Sequence, residues 1–181
     1  MKQLKGMALL AALLMLAACG DKGASTAGGE KPAAGTAAPA GNAISFVDTQ
    51  EGKPLTIDAA LFDTPAAKEF LSTGKNPYIG KDDAIAKGKK TFQLYSCTQC
   101  HGPEAKGQVG PGLTGPTFRY AKDATNKGMF ETIWHGTNGG MGAKGIGLMD
   151  PNDKTQGLKP DEVLQIQAWI RSMSGSLTGN E

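Results

Sequence analysis

Two cysteines and a histidine in the segment Cys97-Thr98-Gln99-Cys100-His101 constrain this chain more than any other feature. The spacing C-x-x-C-H is the attachment signature of a c-type haem. Two thiols separated by two residues on a helical turn can each add to one vinyl group of a porphyrin, and the histidine that follows can reach the iron. The segment therefore predicts one covalent haem held by Cys97 and Cys100, with His101 as an axial ligand.

Two other uses of closely spaced cysteines are disfavoured. A redox dithiol of the thioredoxin type belongs in a βαβ unit, and the flanking sequence does not predict one. A zinc site needs four ligands, and His135 is the only other histidine, while the third cysteine, Cys19, follows an N-terminal apolar run. The haem remains the favoured prediction.

The N-terminus predicts export. Two lysines precede Met7 to Ala18, a run of 12 uncharged and mostly apolar residues. A membrane-spanning helix needs about 20 such residues. The run ends in Leu16-Ala17-Ala18-Cys19-Gly20, which resembles the lipobox of bacterial lipoproteins. We expect residues 1–18 to be a lipoprotein signal peptide and Cys19 to be lipidated, anchoring the protein on the periplasmic side of a bacterial membrane. The alternative is an ordinary signal peptide that releases a soluble periplasmic protein.

Composition divides the rest of the chain into four parts. Residues 19–43 are rich in Gly, Ala, Ser, Thr and Pro without apolar periodicity, and they predict a flexible tether. Residues 44–80 predict an N-terminal arm that packs onto the main domain. Residues 81–176 form the predicted haem domain, and residues 177–181 form a short tail.

The arm is predicted to begin with an extended segment, Ile44 to Ile57, followed by a weak helix from Ala59 to Thr73. The apolar positions of that helix are Leu61, Phe62, Ala66, Phe70 and Leu71. Gly74-Lys75-Asn76-Pro77 would end that helix.

Two helices are predicted to flank the glycine-rich middle of the main domain. The first runs from about Ala84 to Tyr95, with Asp82 or Asp83 as its cap. Gly88 lies on its apolar face, where a close crossing by another helix would explain a residue that disfavours helix. The second helix starts at Pro160. Its apolar face comprises Val163, Ile166, Trp169, Ile170 and Met173, and Gly175 follows. These features predict an all-α domain whose terminal helices pack together around one haem.

The charge balance excludes nucleic acid as a partner. The chain carries a formal charge of +2, from 19 basic and 17 acidic residues. Two of the basic residues, Lys2 and Lys5, lie in the predicted signal peptide. Removing them leaves 17 of each sign, which is not the basic footprint that nucleic acid requires.

The second axial ligand has several candidates. Methionine ligation raises the reduction potential of a haem, as suits an electron carrier. Met129 and Met173 lie in predicted helices and are interpreted as packing residues. Met141 lies between glycines, which let a loop approach a porphyrin closely. Met149 precedes a predicted turn and is less favoured, and His135 remains a rival that would lower the potential.

Three side chains between the haem motif and the methionine segment, Arg119, Tyr120 and Trp134, are candidate donors to the haem propionates. The alternative is that Arg119 is a surface cation and that the two aromatic rings only wall the pocket. The position of the motif, with 81 residues after Cys100, is unlike that of the four-helix-bundle haem proteins with an open iron site.

Seven segments together carry a more specific resemblance than the haem motif alone. They are Phe70–Tyr78, Cys97–Gly102, Lys106–Pro111, Tyr120–Thr125, Gly128–Ile133, Gly136–Gly142 and Leu164–Arg171. With these segments, over about residues 60–174, the chain resembles cytochrome c-L, a branch of the class I c-type cytochromes.

The resemblance implies the class I cytochrome c fold, axial ligation by His101 and Met141, and a hydrogen bond from the axial histidine to the carbonyl of Pro111. It also implies electron transfer rather than enzymatic activity. The implied electron donor is a methanol or alcohol dehydrogenase that contains pyrroloquinoline quinone, and the acceptor is a downstream cytochrome or oxidase. The alternatives are a general respiratory cytochrome c and, less favoured, a haem enzyme or gas sensor with an open iron site.

Two features differ from the expected family pattern. Members of the family are usually freely soluble, whereas this N-terminus resembles that of a lipoprotein. The segment from Ala143 to Lys159 is long and carries Asp150, Asn152 and Asp153. It is predicted to be a surface loop, with a cation site as the less favoured alternative.

Overall fold

The structure is a computed structural model, and it describes residues 43–175 and residue 180. The predicted signal peptide, Cys19, nearly all of the tether and most of the tail lie outside the described residues. Among the residues that are described, no helix combines the length and apolar character needed to cross a membrane.

The arm begins with a small antiparallel hairpin. Strand β1 is Phe46–Val47 and strand β2 is Pro54–Leu55, with Phe46 opposite Leu55. A 3-10 turn follows at Ala59–Leu61, and helix α1 spans Pro65–Thr73.

The prediction of one helix over residues 59–73 is therefore wrong in its first part. Pro65 cannot continue a preceding helix, because its ring fixes φ and clashes with the turn before it, but it is favoured at a helix start. Thr64 caps the new helix by accepting a hydrogen bond from Ala67 N at 3.0 Å. The helix ends where predicted, at Gly74, which has a left-handed backbone with φ of 75°.

Over residues 81–175, the part that the structure describes, the main domain contains four α-helices. Helix α2 spans Asp82–Leu94, the short helix α3 spans Thr98–His101, helix α4 spans Asn126–His135 and helix α5 spans Pro160–Ser172. A 3-10 turn at Ala121–Ala124 precedes α4.

The predicted cap of α2 is wrong by one position. Lys81 occupies the cap position without a side-chain hydrogen bond, and Asp82 and Asp83 lie in the first turn. There the two carboxylates favour the helix through its dipole rather than as a cap.

Helices α2 and α5 cross at Gly88. A Cβ atom built on Gly88 would lie 1.9 Å from the carbonyl oxygen of Gln165 in α5. The predicted close helix crossing at this glycine is confirmed. This crossing packs the first and last helices of the haem domain, α2 and α5, into one core.

The arm and the main domain share that core through a group of phenylalanines. The ring of Phe130 in α4 lies 5.4 Å from Phe46, 6.1 Å from Phe62 and 4.9 Å from Phe70, measured between centroids. All four side chains are buried. Separations of this size are typical of favourable aromatic pairs.

A buried carboxylate also ties the arm to α4. Glu131 is 1% exposed, and its Oε1 accepts a hydrogen bond from Val47 N at 2.8 Å. Its carboxylate pairs with Lys122 at 2.9 Å and with Lys127 at 2.5 Å. Glu131 could not be recognised from the sequence, because a charge within an apolar helical segment does not reveal its partners.

Residues 143–159 form a loop whose two ends are joined by backbone hydrogen bonds. Gly145 and Leu158 form an isolated parallel β-bridge. Asp150 and Asp153 accept hydrogen bonds from backbone N–H groups two residues further on, as turn residues do. Within residues 43–175 and 180, no group of three or more His, Cys, Asp or Glu side chains converges. The turn hydrogen bonds of Asp150 and Asp153 are those expected of the predicted surface loop.

Candidate haem site

The C-x-x-C-H motif forms the tight turn of α3 that follows α2. The backbone reverses at Ser96, which has φ of 57°, and Cys97 N then donates to Phe92 O at 3.1 Å. Both cysteines are free thiols, Cys97 half-buried and Cys100 exposed. Burial raises the pKa of the Cys97 thiol, and nearby Lys144 opposes this only in part.

A backbone carbonyl fixes the orientation of the His101 ring. Its Nδ1 lies 2.8 Å from the carbonyl oxygen of Pro111. Because a carbonyl oxygen can only accept, Nδ1 carries the proton and donates the hydrogen bond, and Nε2 is left with a lone pair that can bind a metal. The imidazole is buried, at 8% exposure.

The glycine before that proline lets the loop approach the motif. Gly110 N donates to Cys100 O at 2.7 Å. A Cβ atom on Gly110 would lie 3.2 Å from Cε1 of His101 and 3.3 Å from Cβ of Cys100. A side chain at position 110 would therefore be tight against the motif, and glycine lets the loop lie close to His101 without that crowding.

A cavity that opens to solvent adjoins the motif, and about 460 Å³ of empty space lies in it and at its mouth. Its lining is almost wholly apolar and comes from every helix of the main domain and from two loops. The lining residues are Phe92, Cys97, His101, Leu113, Asp123, Met129, Thr132, Ile133, Met141, Lys144, Ile166 and Ile170.

The chemistry of this lining fits a haem. Apolar walls suit the faces of a porphyrin, and the Cys97 thiol lies at the cavity beside the exposed Cys100. An imidazole and thioethers, the common axial donors to haem iron, line the same cavity.

The structure narrows the set of axial candidates. Met141 lines the cavity, whereas Met149 and His135 do not. Met129 in α4 also lines the cavity and is 3% exposed, although the sequence analysis interpreted it only as a packing residue. The cavity thus receives two methionine side chains, one from a helix and one from a loop.

The loop that carries Met141 spans residues 136–142, and we call it the methionine loop. It closes on itself, because Thr137 N donates to Met141 O at 2.8 Å. At its start, a Cβ atom on Gly136 would lie 2.5 Å from Met141 O, and this glycine has φ of 79°. Only glycine satisfies both conditions at position 136.

The three propionate candidates occupy two different places. Arg119 is exposed and lies over the ring of half-buried Tyr120 at 5.9 Å, beside Gly139 of the methionine loop. Hydrogen bonds with Thr137 and then with Arg119 lower the pKa of Tyr120. Trp134 does not line the cavity but stacks on Phe130, with centroids 5.5 Å apart.

An acidic side chain that the sequence analysis missed also lines the cavity. Asp123 is 6% exposed and accepts a hydrogen bond from Thr132 Oγ1 at 2.6 Å. Burial raises its pKa to about 6, although Thr132, Lys122 and Arg171 act in the opposite direction. No signal in the sequence separates Asp123 from the exposed aspartates, because its burial depends on contacts with α4 and α5.

Comparisons with known proteins agree with this geometry. The model of the cytochrome c family matches residues 85–174. Cytochrome c-L of Methylorubrum extorquens is 38% identical over 133 residues, which cover 72% of this chain and 62% of that protein. The chain thus spans less than two thirds of the length of this curated relative.

Two solved structures are similar over most of their length. The crystal structure of cytochrome cL from Hyphomicrobium denitrificans is 37% identical with a TM-score of 0.61, over 73% of this chain and 74% of that one. Cytochrome cL from Methylophaga aminisulfidivorans is 37% identical with a TM-score of 0.59, over 71% and 79% of the two chains.

Proposed function

Because the chain belongs to the cytochrome c family and to its cytochrome c-L branch, with the class I cytochrome c fold and one haem c as cofactor, we propose that it is a periplasmic one-electron carrier. The predicted family, fold class and cofactor are confirmed. The proposed donor is a methanol or alcohol dehydrogenase that contains pyrroloquinoline quinone. The proposed acceptor is a downstream cytochrome or oxidase.

Four side chains are proposed to hold the haem. Cys97 and Cys100 would form the two thioether bonds, and His101 and Met141 would bind the iron from Nε2 and from the sulfur. When bound, the haem supplies a reversible one-electron couple. The observation that carries the proposal is the cavity lined by both His101 and Met141, with the His101 ring held by Pro111.

Met141 is favoured over Met129 because it lies in a glycine-rich loop rather than in a helix. Met129 lies within helix α4, and its side chain is buried. Met141 is half-buried in a loop with three neighbouring glycines, which permit close approach to a flat group. If His101 and Met141 both held the iron, no position would stay open for a substrate, which would suit electron transfer rather than catalysis.

Visible spectroscopy of the oxidised protein tests this assignment. The wild type should be low-spin, with the methionine–iron charge-transfer band at the red edge of the spectrum. Met141→Ala should lose that band, and the matched variant Met129→Leu should keep it. A high-spin, five-coordinate wild type would favour a haem enzyme or gas sensor. Loss of the band in Met129→Leu alone would assign the ligand to Met129.

Rapid-mixing kinetics test the donor. Purified quinoprotein methanol dehydrogenase with methanol should reduce the haem, and the same mixture without methanol should not. Charged groups near the site, such as Lys144 at the cavity, would make this rate depend on salt. If the enzyme reduces an artificial dye while the haem stays oxidised, the proposed donor is wrong, and a general respiratory carrier becomes the favoured alternative.

The membrane anchor is tested at Cys19, which lies outside the described residues. Its support is the lipobox-like segment that ends at this residue. Expressed in a bacterium that processes lipoproteins, the wild type should fractionate with membranes, and Cys19→Ala should not be acylated. A wild type found wholly in the soluble periplasmic fraction would contradict the anchor without affecting the haem assignment.

A further inference from the structure

The turn of the N-terminal hairpin, residues 48–53, lies against the end of α4 and the methionine loop. Gln50 Nε2 donates a hydrogen bond to His135 O at 3.2 Å. Asn138 Nδ2 in turn donates to Gln50 O at 2.7 Å. One residue of the turn therefore contacts both the last residue of α4 and the middle of the methionine loop.

The hairpin turn is well suited to act as a fixed support. The Asp48 carboxylate accepts hydrogen bonds from Glu51 N at 2.5 Å and from Lys53 N at 3.1 Å. Asp48 N also donates to Lys53 O at 2.9 Å. These bonds close the turn on itself, and the one from Glu51 N contributes most to lowering the pKa of Asp48.

The base of the hairpin is attached to α4 at two further points. Val47 N donates to the buried Glu131 carboxylate at 2.8 Å. Thr49 Oγ1 lies 3.0 Å from Thr132 Oγ1. Since the Thr132 hydroxyl donates its proton to Asp123 at 2.6 Å, Thr49 is the donor in this pair. The turn is thus anchored on the helix that lines the haem cavity.

The methionine loop needs such support more than most segments. Four of its seven residues are glycines, and glycine has the greatest conformational freedom of all residues. Its internal bonds are few: Thr137 N to Met141 O at 2.8 Å, and Gly139 N to Thr137 Oγ1 at 3.1 Å. Asn138 lies between these bonded positions, so fixing it limits the motion of the whole loop.

We propose that Gln50 and Asn138 are positioning residues through which the hairpin turn holds the methionine loop closed and keeps Met141 on the iron. The proposal rests on the assignment of Met141 as axial ligand made above. It gives the arm a role at the redox site. If the hairpin turn released the loop, Met141 could leave the iron and its coordination position would become accessible.

Imidazole binding to the oxidised, haem-loaded protein tests this proposal. Imidazole forms its bond to iron only after the bond to the methionine sulfur has broken, and the oxidation state does not change. The binding rate and affinity therefore report how often the loop opens. Gln50→Ala removes the bond to His135, and Asn138→Ala removes the bond to Gln50.

Each variant should bind imidazole roughly two- to tenfold faster and tighter than the wild type, the range expected for losing one hydrogen bond. Glu51→Ala is the matched control. Glu51 lies in the same turn, and its side chain pairs with Lys53 rather than with α4 or the loop. The control should bind imidazole within about twofold of the wild type, because no bond to the loop is lost.

The outcomes separate this proposal from the proposed function. Unchanged imidazole binding in both variants would overturn the role of the turn, even where Met141→Ala loses the methionine band as expected. Equal acceleration in all three variants would also overturn it, because the turn would then act only through general stability. Circular dichroism during denaturation measures that stability directly. A wild type without the methionine band would instead remove the axial assignment itself.

Discussion

The Nδ1 atom of His101 and the carbonyl oxygen of Pro111 lie 2.8 Å apart, with Gly110 packed against the same imidazole ring. The carbonyl fixes both the tautomer and the orientation of the ring, so Nε2 faces away from the protein backbone that holds it. A Cβ atom at position 110 would crowd both His101 and Cys100, at 3.2 and 3.3 Å.

Gly110→Ala should therefore destabilise the haem-loaded protein by about 1–3 kcal/mol, the usual cost of overpacking. The new methyl group would press on Cε1 of His101 and on Cys100. Guanidinium denaturation followed by haem absorbance and circular dichroism measures the loss. Gly175→Ala is the control, since a Cβ atom there meets nothing within 4 Å. Equal stability of the two variants would show that the loop can shift at no cost.

Gly88→Ala should weaken the packing of α2 on α5. Alanine favours a helix by about 1 kcal/mol relative to glycine, so a purely local effect would stabilise the protein. A methyl group 1.9 Å from Gln165 O must instead force the helices apart, and we expect a net loss of about 1–3 kcal/mol. Lys87→Ala, at an exposed position of the same helix, should change the free energy of unfolding by less than about 0.5 kcal/mol. A stabilised Gly88→Ala variant would contradict the close crossing.

Asp123→Asn should change how stability depends on pH. The pKa of Asp123 is about 6 in the folded protein against an ordinary value of 3.8, so the folded state binds the proton more tightly than the unfolded state. The protonated Asp123 carboxyl thus contributes to the free energy of unfolding. This contribution is fully present below pH 3.8 and is lost as the pH rises through about 6. The size of the loss is about 3 kcal/mol at most.

Asparagine at position 123 does not titrate. Relative to the wild type, Asp123→Asn should therefore gain stability between pH 4 and pH 7. Denaturation midpoints measured across this range test the prediction. A constant difference between the two proteins would mean that the Asp123 carboxyl keeps its ordinary pKa.

Glu131→Ala should be strongly destabilising, by about 3–5 kcal/mol, because it leaves the partners of a buried ion pair without their counter-charge. The affected groups are Lys122, Lys127 and Val47 N. Lys127→Ala is the matched variant, and it should cost less than about 1 kcal/mol because the Lys127 side chain is 34% exposed. Urea denaturation compares the two. Similar losses in both variants would show that the Glu131 carboxylate is not the centre of this cluster.

Local features were predictable from the sequence because their causes lie within a few residues. The helix predicted from about Ala84 to Tyr95 spans Asp82–Leu94 in the structure. This helix, the start at Pro160 and the close crossing at Gly88 follow from periodicity and from backbone preferences. The break before Pro65 was missed although its cause is local. There the spacing of apolar residues outweighed the proline in the prediction.

The candidate site also contains residues that could be predicted from local sequence and residues that could not. The haem attachment proposed at Cys97, Cys100 and His101 could be predicted because the three residues form one contiguous motif. The flanking glycines favoured Met141 as the second ligand, and the family resemblance implied Met141 and Pro111.

Asp123 and Met129 at the cavity, the buried Glu131 and the bonds of Gln50 were decided only by the tertiary structure. Val47 and Glu131 are 84 residues apart in the chain, and Gln50 and Asn138 are 88 apart. Burial and long-range hydrogen bonds depend on which segments the fold brings together. The identity of one residue and of its sequence neighbours therefore does not predict its burial or its long-range hydrogen bonds. The covalent chemistry of a haem motif, in contrast, depends only on residues within the motif.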